Sequence, residues 1–429
     1  MQAPAGTLTY AELHAEASAY ARRLAALGVR RGDRVSTTLA PGLVFVALVH
    51  AVPRLGAALV PLNTRLTEAE LSDQERLAGA RLTVREPLEG PQADVPLLEE
   101  LDPAAVNTVL FTSGTTSQPK AVELTLANHA ASAAASTANL GSYEHDRWLC
   151  ALPLFHVGGL AILLRSAINA TTVVLHDGFD AQRVKHELES GGVTLASLVS
   201  TMLHRLRDAG LGSAPSLRAL LLGGGPIPAA LLDWARDSEL AVVPTYGMTE
   251  TASQVVTVAP ADALRGVRAG RPLKGVELRV DRDGEILVRG PMVAAGSLAP
   301  DGWLHTGDLG SLDEEGWLRV EGRRADLIVT GGENVMAGEV EEALRSHPAV
   351  VDAAVVGVDD EEWGERLIAV VVRERDATQE DLIAHCRERL TAYKAPKEIR
   401  FVDVLPRNAA GKLLRPKLRG VFAAAGPPM

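Results

Sequence analysis

The chain has 429 residues, of which 47% are hydrophobic and 23% charged, and its formal net charge is -11. This length exceeds what one hydrophobic core usually serves, so we expect at least two domains, and the composition excludes a disordered or fibrous protein. The negative charge argues against nucleic acid or anionic membranes as partners, so an anionic ligand requires a local concentration of basic residues.

The sequence shows no targeting or membrane-spanning segment. Its N-terminus, MQAPAGTLTY, lacks the basic and apolar regions of a signal peptide, and no apolar run approaches the roughly 18 residues of a membrane span. The two cysteines, Cys150 and Cys386, lie far apart, so they form neither a disulfide framework nor a four-ligand zinc site. We therefore expect a cytoplasmic protein.

The first elements alternate helices with apolar, strand-like runs. Thr9 and Glu12 have the spacing of a capping box, and the helix that follows is predicted to end at Gly28. Thr67 begins a second helix that ends before Ala80, and the Pro- and Glu-rich residues 86–103 form a surface connection. This alternation predicts an α/β layer architecture.

Residues 112–120, TSGTTSQPK, have the composition of a loop that wraps backbone N–H groups around phosphate oxygens. They are not a Walker A loop, because Pro119 and Ala121 stand where that motif needs glycine and a hydroxyl. An ordinary surface turn remains the alternative. Residues 127–139 are predicted to form a helix into which the loop leads, which would place a bound anion near the positive end of the helix dipole.

Three further segments contain candidate ligand-binding residues. His156 interrupts the apolar run 149–166 and precedes two glycines, so it is either a core histidine or a residue that a ligand approaches. Gly223 to Gly225 follow an apolar strand and suit close approach to a ring or phosphate, or form a turn. In YGMTETASQ, Tyr246 could stack on a base, and Glu250 could bind Mg2+ or be an acid in a helix first turn.

The last third of the chain changes to short strands and tight turns. Asp283 and Gly284 predict a hairpin, and Asp308 either accepts hydrogen bonds from two adjacent hydroxyls or is an exposed turn residue. From the boundary at 322–326 we predict a strand, a glycine-rich loop (GGENV, 331–335), a helix, two strands and a helix opened by Thr378. Lys412 follows in a basic tail.

In chain order, the segments TSGTTSQPK, LFH, GGG, YGMTE, TGD, GRR-D and PRNAAGK resemble the motifs of the adenylate-forming superfamily of acyl-CoA synthetases, adenylation domains and luciferases. The resemblance covers residues 7–418. Within the superfamily, DRWLCALPLFHVGGLAILLRS and YGMTETASQ are most similar to the o-succinylbenzoyl-CoA synthetases of menaquinone biosynthesis.

The resemblance implies an α/β fold in which a large N-terminal domain of layered sheets and helices, with a β-rich portion, precedes a small mobile α+β lid. The implied boundaries are 1–321 for the ATP- and acid-binding domain, 322–326 for the hinge and 327–429 for the lid. Ala325 stands where the superfamily hinge often has Asp or Lys, which leaves the pivot residue open. The implied lid swings so that Lys412 enters the site for one step and leaves for the next.

The implied enzyme is an AMP-forming acid–thiol ligase that uses ATP, Mg2+ and CoA. A carboxylate attacks the α-phosphate of ATP to give an acyl-adenylate and pyrophosphate, and a thiol then displaces AMP. The implied catalytic residues are Lys412, His156, Thr249 and Glu250, with Glu250 as the Mg2+ ligand. The implied nucleotide-binding residues are Thr112, Ser113, Gly114, Thr115, Thr116, Lys120, Gly223, Gly224, Gly225, Tyr246, Asp308 and Arg323.

An aromatic keto acid with two carboxylates requires an apolar pocket and a donor for its second carboxylate. Candidates beside the inferred site are His156, Arg165, Thr251, Ser253 and Gln254, although Arg165 could equally pair with an acid at a helix end or between domains. The loop Gly331, Gly332, Glu333 and Asn334 is implied to face the CoA thiol.

Three alternatives stay open at this point. The chain could activate another aromatic or medium-chain acid, or it could load a carrier protein as a stand-alone adenylation domain. A nucleotide-binding module without catalysis is the third, against which the presence of both Lys412 and Glu250 argues. The expected partners are small molecules, namely ATP, a carboxylic acid and CoA, and the sequence leaves open whether the chain forms a homo-oligomer.

Overall fold

The fold was analysed in a computed structural model, which describes residues 1–112, 119–265, 270–331, 333–360, 363–407, 413–415 and 417–419. Two compact units divide the chain. Unit 1 comprises Met1–Arg279, Leu287–His305 and Leu312–Leu318, and unit 2 comprises Val280–Ile286, Thr306–Ser311 and Arg319–Met429. In the part of the chain that is described, no helix has both the length and the hydropathy needed to cross a bilayer.

Helices occur in both units. In the described ranges they are α1 (Tyr10–Ala26), α2 (Leu43–Ala51), α3 (Glu68–Ala78), α4 (Leu126–Leu140), α5 (Val157–Ile168), α6 (Ala181–Glu189), α7 (Ser200–Asp208), α8 (Ala229–Asp237), α9 (Ala337–Arg345) and α10 (Gln379–Arg389).

Strands supply the frame of both units. Up to residue 272 they are β1 (Gln2–Ala3), β2 (Gly6–Thr7), β3 (Arg34–Thr37), β4 (Ala58–Pro61), β5 (Leu82–Val84), β6 (Val106–Thr112), β7 (Lys120–Thr125), β8 (Arg147–Cys150), β9 (Thr172–Leu175), β10 (Leu195–Leu198), β11 (Ala219–Leu222), β12 (Val242–Met248), β13 (Ser253–Thr257) and β14 (Arg271–Pro272). Beyond it they are β15 (Glu277–Val280), β16 (Glu285–Arg289), β17 (Leu304–Leu312), β18 (Leu318–Arg323), β19 (Leu327–Thr330), β20 (Glu333–Met336), β21 (Val350–Asp360), β22 (Gly364–Arg373) and β23 (Glu398–Phe401).

The largest sheet has nine strands in the order β14-β13-β12-β11-β10-β8-β9-β1-β2. Its central strands, β12, β11, β10, β8 and β9, run parallel, in register pairs such as Leu220 with Val242 and Leu195 with Trp148. These strands are almost continuous buried runs, as expected for a parallel sheet covered by helices on both faces. The chain passes from β8 to β9 on one side and returns to β10 on the other, so the strand order reverses between β8 and β10.

A second sheet of unit 1 has the order β5-β3-β4-β6-β7. Its strands β3, β4 and β5 are parallel, whereas β6 and β7 form an antiparallel pair in which Thr112 is opposite Lys120. The core of unit 1 contains α1 and α2 side chains, among them Leu24 and Leu48, together with Leu110 and Leu163. Strands β15 to β18 form a third sheet in sequence order, and the boundary between the units passes through its strands.

Unit 2 contains a sheet in the order β20-β19-β22-β21, with β23 parallel to β22. The pair β21 and β22 is long and antiparallel, and α9 and α10 pack on it through a core that includes Val340, Leu344 and Leu382. The opposite face of the same strands contributes Ala354, Val356 and Ile368 to a smaller cluster with Leu405 and Leu418.

The predicted starts of three helices are confirmed. Thr9, Thr67 and Thr378 cap α1, α3 and α10, each in a reciprocal capping box with the residue three positions on. Two expectations are wrong. The phosphate loop does not feed a helix directly, because β7 lies between it and α4, and Glu333 and Asn334 are in strand β20 rather than in a loop, since they pair with β19.

Candidate active site

Several of the predicted site residues lie at one edge of the nine-stranded sheet. The carboxyl ends of its parallel strands meet there: Gly223 follows β11, Tyr246 is near the end of β12, and His156 begins the helix after β8. In open α/β sheets this edge forms a crevice where the strand order reverses. Because the reversal lies between β8 and β10, His156 is at that point.

The glycines at this edge satisfy specific geometric demands. A Cβ on Gly223 would lie 2.7 Å from the carbonyl oxygen of Thr245, so this residue lets β11 approach β12 closely. Gly224 has φ +80°, a left-handed conformation that other residues rarely adopt, whereas a Cβ on Gly225 would meet open space. Gly159 is a glycine because its Cβ would overlap the carbonyl of Pro153, so another backbone, rather than a ligand, approaches it.

The turn that contains Thr249 and Glu250 is strained. Ala252 and Ser253 have φ values of 49° and 112°, and Gly247 leaves no room for a side chain because Ser253 packs against it. The hydroxyl of Thr251 donates to the carbonyls of Met248 and Ser253 and accepts from the Met248 N–H, which ties the turn together. Thr251 is therefore a structural residue of the turn here, with its hydroxyl already used.

Helix α4 holds this turn from outside. The Ser132 hydroxyl donates to the carbonyl of Ala252 at 2.8 Å, and the Asn128 amide donates to the carbonyls of Pro291 and Val293 at 2.9 and 3.1 Å. The next residue, Ala294, donates its N–H to the carbonyl of Glu250 at 2.8 Å. The backbone of Glu250 is thus held by contacts that lead back to one helix.

His156 is half-buried at the N-terminus of α5, and its ring is edge-on to Phe155 at 4.6 Å between centroids. Its Nε2 atom has no hydrogen-bond partner among the described residues. Burial, with a smaller contribution from Arg65, lowers the pKa of this imidazole below its usual value. A neutral ring at neutral pH with an unused nitrogen fits a pocket-lining role better than that of a satisfied core residue.

Arg165 has the most unusual environment of the predicted residues. Its side chain is only 3% exposed, and neither Nε nor Nη2 has a hydrogen-bond partner among the described residues. The guanidinium lies 5.1 Å above the ring of Trp148, and burial lowers the pKa of Arg165 to about 10, so it remains charged at neutral pH. No described acid forms an ion pair with it, which removes the helix-end and interdomain pairing alternatives within that part of the chain.

Two small cavities flank this guanidinium. One, of about 10 Å³, is lined by polar side chains that include Ser136, Asn169 and Thr171. The other is lined by His129, Ser132 and Ala252, which places it against the strained turn. Because Ser136 and Ser166 also have unpartnered hydroxyl groups, unmet hydrogen-bonding capacity is concentrated around one buried cation.

Other predicted residues are spread over both units. Thr112 and Lys120 flank the phosphate loop, with Lys120 exposed, while Ser113, Gly114, Thr115 and Thr116 lie outside the described residues, as do Gly332 and Lys412. Gln254 is buried, with its Oε1 atom unpartnered in the described chain, and Ser253 is half-buried.

In unit 2, Asp308 is buried rather than exposed, and its Oδ1 is 3.0 Å from Nε of Arg323. The turn that contains it is fixed by side chains: Glu285 accepts a hydrogen bond from the Gly307 N–H, and the Thr306 hydroxyl donates to the carbonyl of Ile286. Gly307 has φ +70°, which a glycine adopts readily.

Glu250, the residue predicted to bind Mg2+, is not part of a cluster of metal-binding side chains among the described residues. In the described ranges no group of three or more His, Cys, Asp or Glu side chains is arranged to hold a metal. Mg2+ is usually bound by one or two carboxylates together with substrate phosphates rather than by an all-protein cage. The half-buried carboxylate of Glu250, in a turn with fixed backbone, fits that arrangement.

Sequence reasoning missed the framing residues. Asn128 and Ser132 looked like ordinary residues of an alanine-rich helix, and Glu285 like a strand-end acid. Their partners are between about 20 and 165 positions away in the chain, so no local pattern indicates them. The only signal was the capping-box spacing of Thr125 and Asn128, which indicates a helix start and not a site.

Sequence comparison identifies the class of protein. A profile of AMP-binding enzymes matches residues 2–298, and a profile of the C-terminal domain of AMP-binding enzymes matches residues 339–412. The chain belongs to the AMP-binding enzyme family, which confirms the resemblance drawn from the motifs. A 2-succinylbenzoate–CoA ligase from Bacillus mycoides is 41% identical, with 96% of this chain and 93% of that protein aligned.

Solved structures agree in fold. The o-succinylbenzoate coenzyme A synthetase of Bacillus subtilis in complex with the acyl-adenylate intermediate OSB-AMP is 40% identical, with a TM-score of 0.93, 97% of this chain and 94% of that one covered. The same enzyme in complex with ATP and a magnesium ion gives 39% identity and a TM-score of 0.90, with 97% and 96% covered. The predicted α/β fold with a C-terminal domain is confirmed.

Proposed function

We propose that this chain is an acid–thiol ligase that converts o-succinylbenzoate, ATP and CoA to o-succinylbenzoyl-CoA, AMP and pyrophosphate, a reaction of menaquinone biosynthesis. The observation that carries the proposal is the near-complete alignment with ligases named for this reaction. The buried, unpaired guanidinium of Arg165 is the feature of this chain that fits an acid with two carboxylates.

The reaction has two steps. A carboxylate oxygen of the acid attacks the α-phosphorus of ATP, and the bond from that phosphorus to the pyrophosphate oxygen breaks. The thiol sulfur of CoA then attacks the acyl carbonyl carbon, loses its proton, and AMP leaves with the bonding electrons. The first step depends on alignment and charge neutralisation more than on covalent work by side chains.

We assign the nucleotide to the edge formed by the β11 and β12 ends. Thr249 contacts the α-phosphate, Glu250 binds Mg2+, and Gly223 to Gly225 with Tyr246 surround adenine. The loop 112–120 holds the leaving pyrophosphate, Asp308 and Arg323 take the ribose, and Lys412 neutralises charge at the α-phosphate. Mg2+ supplies further charge neutralisation when bound. Two observations support this assignment. The parallel strands β11 and β12 end at this edge, and the backbone of the turn that contains Thr249 is held by hydrogen bonds.

We assign the acid to the space between His156 and Arg165. The crevice beside Arg165 is bounded by Ala252, the residue that follows Thr251 in the turn, and it is too narrow to hold a water molecule in this structure. We therefore propose that side chains around Arg165 move apart when a carboxylate binds to the guanidinium. An arginine in a buried site can donate two parallel hydrogen bonds to one carboxylate. In Arg165 the donors would be Nε and Nη2, which have no other partner among the described residues. We also propose that His156 lines the part of the acid pocket at the start of α5 and shifts between the two steps.

The proposed division into domains 1–321 and 327–429 with a hinge at 322–326 follows from the two steps. Lys412 has to be present in the first and absent when the thiol reaches the adenylate, so we propose that the lid turns about this hinge, with residues 331–334 toward the thiol. We also propose that the enzyme is cytoplasmic, in keeping with its small-molecule substrates.

The test is a pyrophosphate-release assay with o-succinylbenzoate, benzoates and medium-chain fatty acids as substrates. We expect o-succinylbenzoate to give the highest kcat/KM. A second assay compares CoA with a phosphopantetheinyl carrier protein as acceptor, and we expect CoA to be used. Turnover of benzoates or fatty acids without turnover of o-succinylbenzoate would reject the named substrate, and preference for the carrier protein would reject the ligase in favour of a loading domain.

A further inference from the structure

Asp308, to which the ribose is assigned above, follows a residue that does not fix its own conformation. Gly307 has φ +70°, and a Cβ at this position would lie in open space. Because glycine adopts positive and negative φ values at similar cost, the chain could turn either way before Asp308. The direction of the Asp308 carboxylate therefore depends on contacts that hold the glycine from outside.

Glu285, in the neighbouring strand β16, supplies such a contact. Its Oε1 accepts a hydrogen bond from the Gly307 N–H at 2.9 Å, although the two residues are 22 positions apart in the chain. The Glu285 side chain is only 13% exposed. A hydrogen bond from a backbone N–H to a carboxylate is stronger than one between neutral groups, so this contact can set the conformation of the glycine.

Thr306 holds the other side of the turn. Its hydroxyl donates to the carbonyl of Ile286 at 2.7 Å and accepts from the Asp308 N–H at 3.1 Å. The N–H groups of Gly307 and Asp308 thus both donate to side-chain oxygens. Thr306 fixes the start of the turn to β16, whereas Glu285 holds the glycine itself.

Glu285 also faces a cation. Its Oε2 is 3.7 Å from Nη2 of Arg324, while the preceding arginine, Arg323, has its Nε 3.0 Å from Oδ1 of Asp308. The Arg324 side chain is 45% exposed, and ion pairs of exposed groups contribute little to stability. The hydrogen bond to Gly307 is therefore the contact of Glu285 that bears on Asp308.

We propose that Glu285 is a positioning residue for Asp308: its hydrogen bond to the Gly307 N–H sets the direction in which the Asp308 carboxylate meets the ribose hydroxyls. This inference rests on the ribose-binding role proposed for Asp308, and it is independent of which acid the enzyme activates. The competing explanation is that Glu285 only stabilises the sheet of β15 to β18, together with Arg324.

Two conservative substitutions separate the hydrogen bond from the charge. Glu285→Gln keeps an oxygen for the Gly307 N–H and loses the charge, whereas Glu285→Asp keeps the charge and withdraws the oxygen by one methylene group. The readout is the ratio of the Kd values for 2′,3′-dideoxy-AMP and AMP, measured by calorimetry with the full chain. A purely structural loss weakens both nucleotides equally and leaves this ratio unchanged.

The two variants should differ. We expect a ratio of about tenfold or more in the parent enzyme, the worth of a hydrogen bond to a charged group. Glu285→Gln should keep the ratio within about twofold of the parent, and Glu285→Asp should reduce it to about threefold or less, since the carboxylate no longer faces the hydroxyls. The reverse order, or an unchanged ratio in both variants, would overturn the proposal and leave Glu285 a stabilising role.

Glu277→Asp is the matched control. Glu277 is in β15 of the same sheet and pairs with Arg289 of β16, so the substitution shortens an acid that faces an arginine of the neighbouring strand. We expect the ratio of the two Kd values to stay as in the parent enzyme, even where thermal stability falls. A reduced ratio in this control would show that any disturbance of the sheet has the same effect, and would count against a specific role for Glu285.

A double-mutant cycle with Asp308→Ala tests the premise. Asp308→Ala should reduce the ratio to about twofold or less, and Glu285→Asp should reduce it no further in that background, because no carboxylate is left to position. If Asp308→Ala keeps the parent ratio, or if the parent ratio is near one, the role proposed for Asp308 fails and the inference fails with it. Failure of o-succinylbenzoate as a substrate leaves the inference standing, since AMP binding is measured without an acid.

Discussion

Arg165 shows how one residue can be maintained against its own cost to stability. A buried cation without an acid partner is unfavourable, and among the described residues the face of Trp148 offsets part of that cost for Arg165. Such a residue is expected to destabilise the ligand-free fold. A bound anion offsets this cost, because it forms charge-assisted hydrogen bonds with the guanidinium. The role of Arg165 is therefore inferred from the two guanidinium nitrogens that lack partners rather than from its contact with Trp148.

This gives a prediction with two readouts. Arg165→Met should raise the free energy of unfolding of the ligand-free enzyme by about 1 kcal/mol or more, since replacement of a buried charge by an apolar side chain removes a desolvation cost. The same change should lower kcat/KM for o-succinylbenzoate by about tenfold or more, through loss of a charge-assisted hydrogen bond. Urea unfolding and steady-state kinetics measure the two effects.

The control uses both a second substrate and a second arginine. An analogue that keeps the reacting carboxylate but lacks the other one should lose its disadvantage against o-succinylbenzoate in the variant. Arg218→Met removes an arginine that pairs with Asp146, and it should destabilise the enzyme without changing the ratio between the two substrates. A destabilised Arg165→Met enzyme with an unchanged ratio would show that the residue is structural.

At this scale the sequence predicted residue types well and their surroundings poorly. His156 and Arg165 stood out as polar residues in an apolar run, and the capping boxes at Thr9 and Thr67 could be read from spacing alone, because their partners are three positions away. The burial of Arg165 and the engagement of the Thr251 hydroxyl by the backbone could not be predicted, since both depend on the packing of distant segments.

Helix α4 supports the turn that contains Glu250, a role that its alanine-rich composition does not indicate. It carries Ser132, which donates to the carbonyl of Ala252 two positions after Glu250, and Asn128, which donates to the carbonyls of Pro291 and Val293 in the loop whose Ala294 N–H bonds the carbonyl of Glu250. A helix placed in this way acts as a fixed edge against which the turn is built. The strained φ values of Ala252 and Ser253 persist because these contacts determine the backbone.

Asn128→Ala tests this role. The substitution leaves the carbonyls of Pro291 and Val293 without their donor and removes the acceptor of the Thr125 N–H in the capping box of α4. We therefore expect the free energy of unfolding to fall by about 2 kcal/mol. Because the Ala294 N–H positions Glu250, we also expect kcat for adenylation to fall more than KM for the acid rises. Chemical unfolding and pyrophosphate release with varied acid concentration provide both values.

Asn139 offers a matched control on the same helix. It lies near the other end of α4, and its amide donates to the carbonyl of Val258 at 3.2 Å rather than to the loop at Pro291. Asn139→Ala should weaken stability to a smaller extent and leave kcat unchanged. If Asn128→Ala and Asn139→Ala have the same kinetic effect, α4 does not act as the frame for the turn.

The elements also show where prediction from sequence reaches its limit. Helices α1, α3 and α10 were predicted because their starts have local signals. Strands β7 and β20 were not predicted: residues of β7 were assigned to the connection before α4, and residues of β20 to a glycine-rich loop. Both missed strands are four to six residues long and owe their conformation to pairing with β6 and β19. The order of the nine-stranded sheet was beyond reach as well, since its parallel neighbours are joined by long crossovers.

For the whole molecule, buried histidines should make stability depend on pH. Burial lowers the pKa of His50 and of His129 to about 4, while an unfolded histidine has a pKa near 6.5. Between these values the unfolded state binds more protons than the folded state, so the free energy of unfolding rises with pH and is lost as pH falls from about 6.5 toward 4. Each histidine contributes up to about 1.4 kcal/mol per pH unit in this window.

The measurement is urea unfolding at a series of pH values from about 7.5 to 5. His50→Leu should reduce the slope of the free energy of unfolding against pH by the share of one histidine, because the Nε2 atom of this half-buried residue of α2 is itself buried and has no partner in the described chain. The exposed His145→Leu is the control and should retain the slope of the parent enzyme. A parent slope of zero over this range would contradict the prediction.

Position 252 sets a narrow limit on how the acid pocket can change. Its φ of 49° is a conformation that glycine adopts more readily, yet the methyl group of Ala252 is fully buried and forms part of the wall of the cavity beside Arg165. Glycine would relieve the backbone and leave more room beside Arg165, whereas any larger side chain would add backbone strain and collide with the packed wall of this narrow cavity. The range of acids that this fold can evolve to accept is thus restricted by a single methyl group, on a backbone conformation that few other residues tolerate.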